Sequence, residues 1–370
     1  MKITYYIPHS SFFSESPYGR VTHAIGIVNG FVENDWEVEV IAESGILNFT
    51  DRIDSRVKIT PIKPYSYFEH IKLLGRCNKL VNGSEYFLYR KTVFGLFWIM
   101  IFRLLTILRK FDILSEVNGF IFDYNQTFKD RKVLIALSEL LHKVILRFDD
   151  YIYVVNEDIK SILSKGFMGV KSDKILAIHN GGPKPNYIDF DQKNFNEIHF
   201  VFFGILADYN ELDLFIDSIA PHSNMHLDIV GFGPEEDRLK QKSIDNQNIT
   251  FYGKRTFQEF VDLVNSWTTP VVGIVPMNMG NKLGSLSPIK AFDYMSLGMP
   301  ILYSDSCLGD VLISGVHGLC YETGKIKSLE SAIGQISKKE NYMIYVNNVK
   351  EEYIKHTWKS RMKELINVLK

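Results

Sequence analysis

GSLSPIKAFDYMSLGMP, residues 284–300, reads as a short helix with a marked start and a hard stop. Ser287 offers an N-cap hydroxyl, and Pro288 suits the first helical position. Gly298 ends the helix and Pro300 prevents its continuation, so the pattern predicts a helix over 288–297. The first amides of such a helix have no intrahelical partner and point back over GSLS, which makes an anion site. Lys290 then falls at the third helical position, where a cation loses roughly 0.3–1 kcal/mol against the helix dipole. A bound phosphate reverses that sign. Asp293 lies three residues on, on the same face, where it can accept hydrogen bonds from a sugar's hydroxyls. The alternative is a plain Lys290–Asp293 surface pair on a structural helix.

Outward from this helix, short β-branched and aromatic runs alternate with segments of helical period. Strands are expected at 2–7, 37–42, 151–155, 175–179, 199–204, 226–231, 249–253, 270–276, 300–304 and 318–322, with helices over 22–33 and 212–219 and a last one near 353–369. Near-continuous apolar strands separated by helices imply parallel sheets covered on both faces. The alternation breaks at GGPKPNYIDFDQKNFNE (181–197), which is rich in Gly, Pro, Asn and Asp and is expected to link two α/β domains. Residues 1–182 then form one domain and 183–352 the other. Three strands of the second domain end in glycine, at Gly204, Gly231 and Gly253, where a ligand can approach the backbone. Two such sheets place a cleft between their carboxyl edges.

Composition excludes several classes. The 370 residues are 46% hydrophobic and 23% charged with a net charge of −1, so no overall field points to nucleic acid. The cysteines, Cys77, Cys307 and Cys320, form no CxxC pair and no His/Cys cluster, so a reducing compartment and no structural zinc are expected. His222 and His226 are spaced HxxxH but lack the HExxH glutamate, and no metal site is expected. MKITYYIPHSSFF reads as a first strand rather than a signal peptide, and no apolar run reaches the ~18 residues of a spanning helix. Residues 61–112 carry nine Lys/Arg against three acids around FGLFWIMIF (94–102). Such a region can lie on an anionic membrane surface; the alternative is a buried crossover helix with solvated basic ends.

Other stretches offer weaker signals. PYGRVTHA (17–24) places Gly19 in a loop before a helix start, with Arg20 and His23 as ligands or surface residues. IHNGG (178–182) is an Asn-Gly turn at the inferred domain junction, and YGKR (252–255) puts Lys254 and Arg255 at a strand end. SEVNGF (115–120) puts Glu116 and Asn118 at another, with a simple turn as the alternative. GFGP (231–234) is too short for a dinucleotide fingerprint, which disfavours NAD.

SPIKAFDYMSLGMPIL resembles the nucleotide-binding helix of GT-B glycosyltransferases, above all the retaining glycosyltransferase family 4. Segments 19–45, 115–119, 149–163, 175–182, 202–220, 227–240, 249–260 and 356–369 resemble further landmarks of that family in the right order. The resemblance implies a GT-B fold, two Rossmann-like parallel-sheet domains facing across a cleft, with the final helix, about 353–370, crossing back onto the first. It implies that Gly19 faces the donor's phosphates, that Ser287, Pro288, Ile289 and Lys290 form the diphosphate loop, and that Asp293 holds the ribose. Gly253, Lys254 and Arg255 would lie against the base, and Asn118 stands near a catalytic-site His or Asn of many members. The chain departs from the pattern at Ser285, where many members carry the first glutamate of an E-x7-E pair. It departs again in GILADYNELD (204–213), which lacks the members' Arg and Lys, so Lys290, helped by Lys282 or Lys254, would neutralise the diphosphate.

The expected activity is transfer of a hexosyl group from a nucleotide-sugar, UDP favoured over GDP, to a glycan or lipid-linked acceptor in bacterial surface polysaccharide synthesis. Lys290 and Asn118 would be catalytic, no cofactor is expected, and the location would be cytoplasmic or peripheral on the inner face of the membrane. Two alternatives stand beside it: a nucleotide-sugar epimerase on the same fold, and a non-catalytic binding subunit with a degraded donor site.

Overall fold

The computed structural model describes residues 1–7, 18–63, 83–90, 111–117, 140, 143–144, 146–147, 149–165, 169–278, 287–307 and 311–370. The chain divides into two compact units, Met1–His179 with Trp358–Lys370, and Asn180–Thr357.

The first unit carries β1 (Lys2–Ile7), α1 (Tyr18–Val32), β2 (Glu37–Glu43), β3 (Lys58–Ile62), β4 (Tyr86–Arg90), β5 (Asp112–Val117), β6 (Tyr151–Val154), α2 (Glu157–Ser164) and β7 (Ile175–Ala177). Its strands form one parallel sheet in the order β3-β2-β1-β4-β5-β6-β7. The inner strands are buried almost throughout, as a sheet covered on both faces requires. The strands β3 and β4 were not expected from sequence: KITPI carries Pro61, which an edge strand tolerates, and YFLYR is only five residues long. Helix α1 starts at Tyr18, a turn before the expected Thr22. The reason is packing: its core-facing stripe already begins at Val21, which is buried with Ala24, Ile25 and Val28.

The second unit carries β8 (Ile198–Ile205), α3 (Leu212–Ile219), β9 (Met225–Phe232), α4 (Glu236–Lys242), β10 (Ile249–Gly253), α5 (Phe257–Ser266), β11 (Val271–Val275), α6 (Ile289–Ser296), β12 (Ile301–Ser304), β13 (Gly318–Tyr321), α7 (Ile326–Ile336) and α8 (Lys339–Glu352). The strand order is β10-β9-β8-β11-β12-β13, all parallel. The order reverses between β8 and β11, and in such sheets the carboxyl ends at this switch point form the binding crevice. The irregular stretch 181–197 packs into this unit: Ile188 and Phe190 are buried, and the Ile188 amide donates to Leu297 O (3.0 Å).

The last helix, α9 (Trp358–Leu369), belongs to the first unit and lies along α1. It can do so because two glycines of α1 face it. A Cβ on Gly26 would sit 2.1 Å from the Trp358 ring, and one on Gly30 would sit 2.6 Å from Met362 Cγ. Among the described residues no helix is long and apolar enough to cross a membrane.

Candidate functional site

Tyr294 anchors helix α6 to the sheet. The ring of Tyr294 is fully buried against Gly273 of β11, where a Cβ would stand 2.4 Å from it. The Tyr294 hydroxyl accepts from the Phe203 amide (2.8 Å) and donates to Ile274 O (3.3 Å), so it ties the helix to both switch-point strands. Lys290 lies one turn earlier on the same face. Its side chain therefore falls over the end of β8: a Cβ on Gly204 would be 3.4 Å from Lys290 Cε and 3.5 Å from Nζ. Gly204 in turn is crowded by β9, where a Cβ on Gly231 would lie 1.8 Å from Gly204 O.

Lys290 is partly buried, with Nζ 4.1 Å from the centroid of the Phe202 ring and 3.3 Å from Asn210 Oδ1. Among the described residues no carboxylate pairs with it. Burial lowers its pKa from 10.5 to about 7, and among the described residues the opposing influence is Cys307, buried just after β12. The Lys290–Asp293 surface pair considered from sequence does not form. Asp293 is buried within α6, close enough to Tyr353 for its charge to help raise that phenol.

The helix start differs from expectation. Pro288, at ψ 113, stands before the first helical residue, and the helix runs Ile289–Ser296, so Lys290 is the second helical residue, not the third. Ser287 does not cap it, because its hydroxyl is taken: Oγ accepts from the Asn180 amide at 3.0 Å. Asn180 Nδ2 also donates to Ser287 O at 2.6 Å, so IHNGG works as a clamp on the loop entering α6. Ser287 and Pro288 are buried; Ile289 is half-buried.

Gly204, Ser287, Pro288, Ile289 and Lys290 are thus brought to one place, with Phe202, Asn210 and Tyr294 as residues that sequence reading missed. Nothing in the motif pattern marks Asn210, whereas Tyr294 was visible as the aromatic four residues after Lys290. Lys254 and Arg255 are not brought to Lys290. They follow β10, and β9 separates that strand from β8, about 10 Å across two strand spacings. Both are exposed; Lys254 Nζ sits 4.9 Å over Phe232, and Arg255 is 3.7 Å from Glu259. Gly253 is a left-handed turn residue with open space around it. Ser285, Lys282 and Asn118 lie outside the described residues, as does most of the basic region 61–112.

In the first unit Gly19 sits inside the first turn of α1, not in a loop as expected. His23 is buried rather than solvated, 2.8 Å from Glu116 Oε1. Arg90 donates to the same oxygen at 3.0 Å, and the Tyr5 hydroxyl donates to Oε2. Burial alone would raise Glu116, but Arg90 and His23 outweigh it and hold the carboxyl at about 2. Among the described residues no cluster of His, Cys, Asp and Glu is arranged to hold a metal ion.

Residues 197–339 match the family "Glycosyl transferases group 1". No curated protein matches the chain by sequence. Solved structures match over its full length. The lipopolysaccharide outer core galactosyltransferase WaaB, in its apo form, is 17% identical with a TM-score of 0.63, over 100% of this chain and 99% of its own. Sucrose-phosphate synthase from Thermosynechococcus elongatus is 13% identical with a TM-score of 0.72, over 100% and 99%. Anabaena HepE, in complex with UDP and glucose, is 13% identical with a TM-score of 0.69, over 99% of each chain. The fold is GT-B.

Proposed function

We propose that the chain is a glycosyltransferase that takes a nucleotide-diphospho-sugar, a UDP-sugar ahead of a GDP-sugar, and passes the sugar to a glycan or lipid-linked acceptor. The observation that carries this reading is Lys290: an ammonium without a paired carboxylate among the described residues, at a helix start over a glycine strand end at the switch point. Such a cation is costly alone and becomes favourable beside a diphosphate. The family match over 197–339, and HepE's complex with UDP and glucose, support the same assignment.

In this reading the β-phosphate of the donor lies against the start of α6 and Nζ of Lys290. As the glycosidic C–O bond breaks, negative charge grows on the departing diphosphate, and these groups stabilise it. They are held in place beforehand by Tyr294 and by the Asn180–Ser287 clamp, so little reorganisation is needed. Asp293 is assigned to the ribose, Lys254 and Arg255 to the base, and Asn118 to the reacting sugar, all on the resemblance to family 4, as is retention at the anomeric carbon. WaaB acts on lipopolysaccharide outer core, which supports a surface-polysaccharide role. Residues 61–112 are assigned to contact with an anionic membrane, at a cytoplasmic face.

The test is calorimetric binding and turnover with a panel of UDP-, GDP- and ADP-sugars, with Lys290→Ala alongside. Binding of UDP that Lys290→Ala loses, with sugar transfer or slow hydrolysis, is the expected result. Absence of any nucleotide binding at millimolar ligand would refute it, and an epimerised sugar without transfer would replace it by an epimerase. Co-sedimentation with anionic liposomes should fall steeply with salt; no binding at any salt rejects the membrane contact.

A further inference from the structure

The loop after β8 carries neither Arg nor Lys (GILADYNELD, 204–213), yet one of its side chains reaches Lys290. We propose that Asn210 is a positioning residue for the donor's diphosphate: its carboxamide holds the Lys290 ammonium at the end of β8 without neutralising it. This rests on the donor-site reading above.

The chemistry of the partners fixes which end of the amide faces which way. As an ammonium, Lys290 Nζ only donates, so the atom 3.3 Å away is the Asn210 carbonyl oxygen. Ile205 O only accepts, so the group 3.0 Å from it is the Asn210 NH2. The loop that carries the amide is itself tied down. The Asn210 amide donates to Ala207 O (3.0 Å), the Leu206 amide donates to Phe232 O (2.9 Å), and Asn210 is only 5% exposed. The carboxamide therefore has one orientation, with its oxygen aimed at Lys290.

Among the described residues, Nζ also lies over the Phe202 ring and beside Gly204, where a Cβ would stand 3.5 Å from it. An amide, a ring and a glycine all place the ammonium, and none of them carries a charge. A carboxylate at position 210 would hold Nζ as firmly but would compensate its charge before the ligand arrived. It would also set an anion against the Ile205 carbonyl. Asparagine is the side chain of this size that positions Lys290 and leaves its charge for the ligand.

The experiment is calorimetric titration of the full chain with UDP at pH 8, comparing the wild type with Asn210→Asp and Asn210→Ala and recording the protons taken up. Asn210→Asp pairs with Lys290 and keeps it protonated beforehand, since an opposite charge at this range shifts a pKa by about 1–3 units. UDP affinity should fall, and the proton uptake of the wild type should drop to about half a proton or less. Asn210→Ala removes the acceptor without adding charge. It should keep the uptake and weaken UDP by about threefold to tenfold. A purely structural role would change affinity without changing uptake in the Asp variant. Wild-type binding that Lys290→Ala abolishes, with Asn210→Asp matching the wild type in affinity and uptake, overturns the proposal. If the Asp variant does not fold, an Ala variant that binds UDP as tightly as the wild type overturns it equally. A wild type that does not bind UDP overturns the donor-site reading, and this inference with it.

Discussion

Binding of UDP should be accompanied by proton uptake at Lys290. In the free protein this lysine titrates at about 7, because burial disfavours its charged form and no carboxylate among the described residues restores it. A diphosphate beside Nζ returns it to the ordinary lysine range of about 10. At pH 8 the free protein carries about one-tenth of a proton on Nζ and the complex about a full one, so binding takes up about 0.9 proton. At pH 6 the free lysine is already about nine-tenths protonated, and the uptake falls to about 0.1 proton. The same linkage weakens the lysine's share of binding about tenfold between pH 6 and pH 8. The assay is titration calorimetry in buffers of different ionisation enthalpy, where the slope of observed heat gives the proton number. The control is Lys290→Arg, which stays charged up to about pH 12 and should bind with no such uptake. Subtracting it also removes the ionisation of the nucleotide's own terminal phosphate, near about pH 6. Equal proton numbers for the wild type and Lys290→Arg at pH 8, with binding intact, would refute the reasoning. The sign for stability runs in parallel. The unfolded chain holds this proton up to about 10.5 and the folded chain only to about 7, so the unfolded state binds more protons in between. Folded-state stability should therefore rise with pH through that window, and Lys290→Met should flatten the rise.

Tyr294→Phe removes the hydroxyl to which the buried Phe203 amide donates and should cost about 1–3 kcal/mol in urea denaturation, with weaker UDP binding because α6 loses its anchor. Gly26→Ala drives a methyl into the Trp358 ring and should cost about 1–3 kcal/mol; an unchanged melting temperature would show that α9 does not lie as closely on α1 as described. Glu116→Gln takes away the negative charge that compensates the buried Arg90 and should cost about 3–5 kcal/mol, measured by the same denaturation. Since the folded Glu116 pKa is about 2 and the unfolded value is 4.5, its stabilising contribution of about 3 kcal/mol is present above pH 4.5 and is lost as pH falls through 2. An acid-unfolding profile unaltered by Glu116→Gln would contradict the cluster.

The parallel α/β architecture was legible in the sequence because its signals are local. Runs such as HFVFFG and PVVGIVP are apolar on both faces, and only a covered parallel strand accepts that. The stretch 284–300 likewise announced its helix through Pro288, Gly298 and Pro300, and a candidate anion site through a lysine placed against the dipole. Local pattern erred where a contact from far along the chain competes. Ser287 looks like an N-cap until Asn180, 107 residues away, takes its hydroxyl. Helix α1 starts earlier than its caps suggest because Val21 has a core to face. His23 and Glu116 are 93 residues apart, and only the sheet order makes them neighbours. What the sequence by itself determined is the kind of element each segment forms and the chemistry offered at Lys290. What only the tertiary structure decided is the company that Lys290 keeps: the Phe202 ring, Gly204 and the Asn210 amide, with Lys254 and Arg255 two strands away. The physical reason is that hydrophobic period and caps act over a few residues, whereas the desolvation and pairing of a charge depend on every segment that packs around it.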